Sequence, residues 1–423
     1  MLARRRCLDV RRVILSTVCL GIAVSVLPRS GLGAESAPSC LPVTEQAVTV
    51  ADDKAFAEAL RDSRCGTTLI LETGTYRDDV EVRQDCPADR PLVIRSKEPQ
   101  GARLAAQIRL LGEHTSVVGL TVEGGEIVVG GTGQRISRNR FTTPGGLVVR
   151  ATTGSRIDHN QFSTPPGPGL DIAFKFSKDD RWPARDIRVD HNLFQSRPGT
   201  VADLDDEPDE EKSVSIGLYL GQFSARKGRQ DMLDYGRVGT VIEQNLFLDY
   251  KRRRAIHVKS LGNDIRDNNF VDTERTGKWA RVTIRHGQYN EISDNLMDGT
   301  AGLQIFEESN SASGNVLTGG AELLVMGGGG EMTQFGGPQQ RQAVGTHLVG
   351  NSGPLRIGAT YARRANKAPA TDTVVEGHQG PIETLLEQNT IIRDGPRAAS
   401  QPPSLTPADV GLAAPESDCP ATG

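Results

Sequence analysis

Beyond its N-terminal segment, the 423-residue chain has no apolar run approaching the ~20 residues of a membrane span. No membrane association of the body is therefore expected. The chain also lacks a basic surplus: its formal net charge is −4, and about −9 once the first 34 residues, with six Arg and one Asp, are set aside. So acidic a body excludes nucleic acid as a general partner, and any polyanion it binds must meet a local basic patch. Cysteines are few, and their spacings lack the short paired intervals of zinc ligands. Leucines do not recur several times per short interval, which excludes a leucine-rich solenoid. Gly327 to Gly330 is followed by no Lys-Ser or Lys-Thr, which removes a phosphate cradle.

The first 34 residues read as a secretory signal. Arg4, Arg5, Arg6, Arg11 and Arg12 form a basic start, Val13 to Leu27 an apolar core too short for a bilayer, and Leu32-Gly33-Ala34 a small-residue cleavage site. The expected location is periplasmic or secreted, with no membrane attachment after cleavage. Cys40, Cys65, Cys86 and Cys419 then remain, and an even number suits an oxidising compartment. Four cysteines allow three pairings. Cys65 with Cys86, flanking an early strand pair, and Cys40 with Cys419, tying the termini, are favoured.

One pattern dominates the rest. Asn139, Asn160, Asn192, Asn245, Asn268, Asn295, Asn315, Asn351 and Asn389 each follow an aliphatic residue by three places, and all but one precede an apolar residue by two. The exception is Gly353. Self-similarity at twenty-odd residues marks a solenoid, whose repeats bury their apolar face only by stacking. Each repeat is too short for a helix pair and rich in β-branched residues, which favours three short strands per turn of a parallel β-helix. Inward Ile and Phe are expected in columns with ~4.8 Å between rungs. The asparagines suit turns, where they tolerate left-handed backbone and can bond one another in a ladder.

The expected fold is an all-β, right-handed parallel β-helix with a short N-terminal capping helix, in which Asp52 caps a face of Phe56, Ala59 and Leu60. Strands at Leu69 to Leu71, Leu92 to Arg95 and Val117 to Val122 would form irregular first rungs. The 53-residue gap between Asn192 and Asn245 is expected to hide a rung at Val214 to Leu220, after an acidic loop at Asp203 to Glu211. Three segments result: a signal over residues 1–34, one solenoid over 35–394, and a Pro- and Ala-rich tail over 395–423 without periodicity, held only by Cys419.

Against the acidic background, Lys251-Arg252-Arg253-Arg254 precedes His257 and Lys259 in one rung, and Arg281, Arg285 and His286 stand in the next. Solvated surface charge is the default reading of such runs. Here, however, Lys259-Ser260 and Arg285-His286-Gly287 both interrupt a strand where a turn is due. Lys259 lies 14 residues after Asn245 and Arg285 lies 17 after Asn268, so stacking requires about three extra residues between Asp272 and Trp279. Arg252 and Arg254 also have the wrong parity to share a face with Lys259, so a corner or bulge must intervene.

Gly74-Thr75-Tyr76, Asn245-Leu246-Phe247 followed by Val258-Lys259-Ser260, and Arg285-His286-Gly287 with Asn295 resemble the polysaccharide lyase family 6, the β-helices that include alginate lyases and chondroitinase B. The resemblance runs from about Val48 to Asn351. It implies that Lys259 is a catalytic base and Arg285 its acid-side partner, and that the partner molecule is an acidic polysaccharide, alginate first. Calcium-dependent family members carry Glu-x-Glu seven and five residues before that lysine. Arg252 and Arg254 occupy those positions here, so no cofactor is expected and calcium should not be required. Arginines can fork onto a carboxylate and neutralise it directly.

By the same reading Arg252, Arg254, His257, Arg281 and His286 are expected to bind substrate, and like charges around Lys259 favour its neutral, basic form. Arg285 hardly deprotonates, so His286, His257 or a tyrosine would deliver the proton. Gln304 stands where the family often has an arginine. A hydrolase on this fold would need clustered carboxylates, and an epimerase an Asp-Pro-His-Asp motif; neither is present. A non-catalytic β-helix that holds a polyanion is the remaining alternative.

Overall fold

The computed structural model describes residues 45–165, 169–174, 184–196, 215–221, 238–250, 254–273, 281–285, 287–299, 302–329, 342–360, 367–396 and 402–413. Short strands follow one another around three long parallel sheets of 14, 10 and 12 strands. Taken in the order one rung visits them, these are sheets I, II and III. The rung at Val241–Glu243, Leu246–Leu248 and Arg254–Val258 shows the plan, after which Asp264–Arg266 returns to sheet I one layer on. The architecture is the expected right-handed parallel β-helix.

Columns of like side chains fill the interior because stacking identical shapes leaves no voids. In sheet I, Ile136, Ile157, Val189, Ile242, Ile265 and Ile292 are in register. In sheet II, Phe141, Phe162, Phe194, Phe247 and Phe270 stack with centroids 4.6, 4.6, 4.4 and 4.8 Å apart and rings within 12° of parallel. Gly353 breaks that template for a steric reason. Its φ is +105°, and a Cβ there would meet the Leu317 carbonyl oxygen at 2.4 Å.

The asparagine turn between sheets I and II is a continuous ladder. The Asn139 N–H donates to Asn160 Oδ1 at 2.9 Å, and the pattern repeats through Asn192, Asn245, Asn268, Asn295 and Asn315 to Asn351. The side-chain amides bond in parallel, so each buried side chain satisfies its neighbour. Asn389 is not a member, contrary to the nine-copy reading. Strand Val374–Glu376 takes the next place in sheet I, which leaves His378 following Asn351 in the turn. Asn389 instead makes an exposed bond to Asp372.

The helix α1, Asp53–Asp62, is capped by Asp52, whose carboxylate accepts from the Ala55 N–H at 2.8 Å, and buries Phe56 and Leu60. Cys65 and Cys86 form the expected disulfide; Cys40 and Cys419 lie outside the described residues, as does the acidic loop. The segment expected between Val117 and Val122 is two strands, Thr115–Val118 and Thr121–Val122, parted by Gly119 at φ +72°. The hidden rung exists as Ser215–Leu220. The tail is a further correction. Leu405 and Val410 pack on Leu193, Leu246, Leu248 and Val271 of sheet II, and the Gly411 N–H donates to the His191 carbonyl at 2.7 Å. Its few apolar residues anchor it without any repeat.

Candidate functional site

The outer face of sheet III carries the basic residues. Strand Arg254–Val258 pairs with Arg281–Ile284 so that Arg254 stands against Arg281, His257 against Thr283 and Val258 against Ile284. The next residue on each strand is Lys259 and Arg285, which therefore occupy neighbouring rungs. The Lys259 N–H donates to the Leu220 carbonyl at 2.7 Å and the Arg285 N–H to the Val258 carbonyl at 3.0 Å, so both backbones still follow the ladder. Parallel strands lie ~4.8 Å apart, which brings the two side chains to one lip of the face.

Two features absorb the difference in offset. The path from Val271 to Arg281 is four residues longer than that from Leu248 to Arg254. One residue is given back by a register shift between Arg254 and Ile256, a bulge at Ala255. That bulge also answers the parity problem. Ala255, Ile256 and Val258 all face the core, while Arg254 lies on the outer side with His257, its Nη1 3.3 Å from His257 Nδ1.

The structure therefore brings together Arg254, His257, Lys259 and Arg285, with the Arg281 backbone in register. Arg252 and His286 lie outside the described residues. Gln304 continues the His257 and Thr283 column, where Thr283 Oγ1 sits 3.5 Å from its Oε1. As for the calcium on which some members of the resembled family depend, among the described residues the second position of their Glu-x-Glu pair carries the Arg254 guanidinium, a group that does not fit the ion.

Two features escaped the sequence reading. A second ladder runs along the turn after sheet III, where the Asn263 N–H donates to Asn290 Oδ1 and the Asn290 N–H to Asn310 Oδ1, each at 3.0 Å. Asn263 Nδ2 also donates to Ser260 Oγ at 2.9 Å, and Asn310 Nδ2 to the Gly287 carbonyl at 3.0 Å. These bonds clamp the backbone just beyond Lys259 and Arg285, which holds both side chains at the lip. The signal was present: each of these asparagines stands five places before Asn268, Asn295 or Asn315.

The other is Tyr219, one rung before Lys259 and in register with His257. Lys259 Nζ lies 5.4 Å from its ring centroid, within cation–π range, and His257 meets the ring edge-on at 5.6 Å. Burial pushes the phenol up to about 12, against an opposing pull from Arg285 and Arg254. It had no motif to announce it, because its rung lies in the long gap.

No family profile and no curated protein matches the sequence. Solved structures do. The PL6 family alginate lyase AlyGC superposes with a TM-score of 0.62 at 17% identity, over 89% of this chain and 59% of that one. A mannuronic acid specific polysaccharide family 6 lyase from human gut microbiota gives 0.60 at 17%, over 80% and 83%. The PL6 family polysaccharide lyase Pedsa3628 from Pseudopedobacter saltans gives 0.60 at 12%, over 86% and 99%. The fold is that of the PL6 lyases. The chain spans little more than half of AlyGC, and at these identities the PL6 likeness is one of fold.

Proposed function

We propose that the protein is a polysaccharide lyase that cleaves a 4-linked uronate polymer, alginate first, by β-elimination. The observation that carries this reading is the register of sheet III, which stacks Lys259 on Arg285 beside Arg254 and His257 on a fold shared with PL6 lyases. Removing the C5 proton places a second negative charge beside the uronate carboxylate, and a preorganised cation must meet it. Lys259 takes that proton. Arg254, with Arg252 and Arg281, forks onto the carboxylate in the role that a metal ion would otherwise fill. Arg285, one rung beyond Lys259, adds a fixed positive charge that stabilises the negative charge developing in the transition state. The acidic body repels polyanions elsewhere, so binding concentrates on this lip. The reaction takes place in the periplasm or outside the cell, and a mature N-terminus at Glu35 would accompany it.

The test is incubation of the purified protein with alginate, polymannuronate, polyguluronate and dermatan sulfate, monitored for a UV-absorbing unsaturated uronate. Product from at least one polymer is expected, at a rate unchanged by a chelator. No product from any of the four would sink the lyase reading and leave a groove that holds polyanions without cutting them. Activity that vanishes with the chelator and returns with calcium would overturn the role given to the arginines.

A further inference from the structure

Elimination needs a proton donor for the leaving oxygen as well as a base, and the guanidinium of Arg285 hardly gives up a proton. Among the described residues the side chain best placed for that task is Tyr219. It shares the outer face of sheet III with Lys259, one rung away; Leu218 and Leu220 on either side of it point into the core. Its ring touches both His257 and Lys259, and the two guanidiniums that act on its hydroxyl electrostatically are Arg254 and Arg285. A phenol so placed carries its proton at every working pH; burial disfavours the phenolate it leaves behind, a cost that Arg254 and Arg285 offset in part.

We propose that Tyr219 is the general acid of the elimination and that, because acid and base stand on one wall of the groove, the enzyme eliminates syn and prefers mannuronate to guluronate bonds. This rests on the lyase reading above. Lys259 takes the C5 proton, the C5–H electron pair becomes the C4=C5 double bond, the C4–O bond breaks, and its oxygen takes the proton from the Tyr219 hydroxyl. The cycle leaves an ammonium beside a phenolate. One proton passed from Lys259 to Tyr219, directly or through water, restores the starting state, and the ring contact keeps the partners close. In β-D-mannuronate the C5 hydrogen and the C4 oxygen share one face of the sugar ring. In its C5 epimer, α-L-guluronate, they lie on opposite faces. A base and an acid on one wall reach both atoms only in the first.

The experiment compares wild type with Tyr219→Phe, which keeps the ring under Lys259 and removes only the proton. On polymannuronate, kcat should fall roughly 10²- to 10³-fold, the usual size of a lost acid–base group, with KM changed less than about threefold. A mannuronate oligomer whose C4 leaving group is fluoride, which departs without protonation, should be turned over by both proteins at similar rates. Wild type should also cut polymannuronate at least about tenfold faster than polyguluronate, a difference of roughly 1.4 kcal/mol in barrier. If Tyr219→Phe retains kcat on polymannuronate, or loses the fluoride substrate equally, the acid role is wrong while the lyase reading stands. Faster cleavage of polyguluronate by wild type would overturn the syn assignment even if the variant failed to fold. No product from wild type on any polymer removes both readings together.

Discussion

Replacing Asn245 by alanine should destabilise the solenoid more than the same change at Asn389. Asn245 is fully buried, and its Oδ1 accepts from the Asn192 N–H and from Asn192 Nδ2, each at 3.0 Å. Its own amide donates to the carbonyls of Val189 at 2.9 Å and Glu243 at 3.0 Å, and to Asn268 Oδ1 at 2.9 Å. Truncation orphans the Asn192 N–H outright, at about 1–3 kcal/mol for an unsatisfied buried donor. Asn192 Nδ2 keeps the carbonyls of Ile157 and Asp190, and Asn268 Oδ1 keeps the Asn245 N–H, so these lose only part of their bonding, at about 0.5–1 kcal/mol each. The sum is on the order of 2–5 kcal/mol. Asn389 makes an exposed bond to Asp372 and stands at φ +58°, a left-handed conformation that alanine adopts at a cost of about 1–2 kcal/mol, so its replacement should cost no more than about 2 kcal/mol. Equilibrium unfolding in urea, with m compared between variants, measures the difference. Amide exchange adds a local readout, since the Asn192 proton should exchange faster while Asn351 keeps its protection. Equal midpoints for the two variants would refute the ladder argument.

Lys259→Ala should reduce turnover by at least about 10³-fold on whichever polymer the wild type cuts, with the melting temperature unmoved; retained turnover would remove Lys259 from the mechanism. Reducing the Cys65–Cys86 bridge opens a loop of sequence separation 21 and should lower stability by about 3 kcal/mol, visible as an earlier urea midpoint in dithiothreitol. Acid should weaken the outer face of sheet I. Burial alone would raise the Asp158 and Asp190 carboxyls, but bonds from His159 and His191 and the forks of Arg135 and Arg156 outweigh it and hold both well below the usual range. A depressed carboxyl contributes stability that is complete above its unfolded pKa of about 3.9 and is lost as pH falls toward the folded value. Urea midpoints should therefore drop below about pH 4, and Asp158→Asn should flatten that drop; an unchanged acid limb would refute the assignment.

Particular residues show what was legible along the chain. The aliphatic–asparagine–aromatic pattern dictates rung, column and turn, because identical side chains one rung apart must share an environment once strands stack parallel. The same logic makes Asp52 and Phe56 a cap. It fails at Asn389, where the local pattern persists but the rung boundary has moved. It fails in the tail as well, since Leu405 and Val410 dock on sheet II through apolar contacts that repeat nothing.

The sequence by itself determined the β-helix, its N-terminal cap and the types of residue in a basic cluster, all of which rest on periodicity or short-range chemistry; of three possible cysteine pairings it favoured the Cys65–Cys86 bridge that the structure shows. Only the tertiary structure decided which of those residues meet. Lys259 and Arg285 become neighbours through a longer connection after Val271, offset by a bulge at Ala255, and the same bulge turns Arg254 to their side. Tyr219 joins them from a rung 40 residues before Lys259. Register across rungs depends on the lengths of irregular connections, and no local pattern encodes that sum.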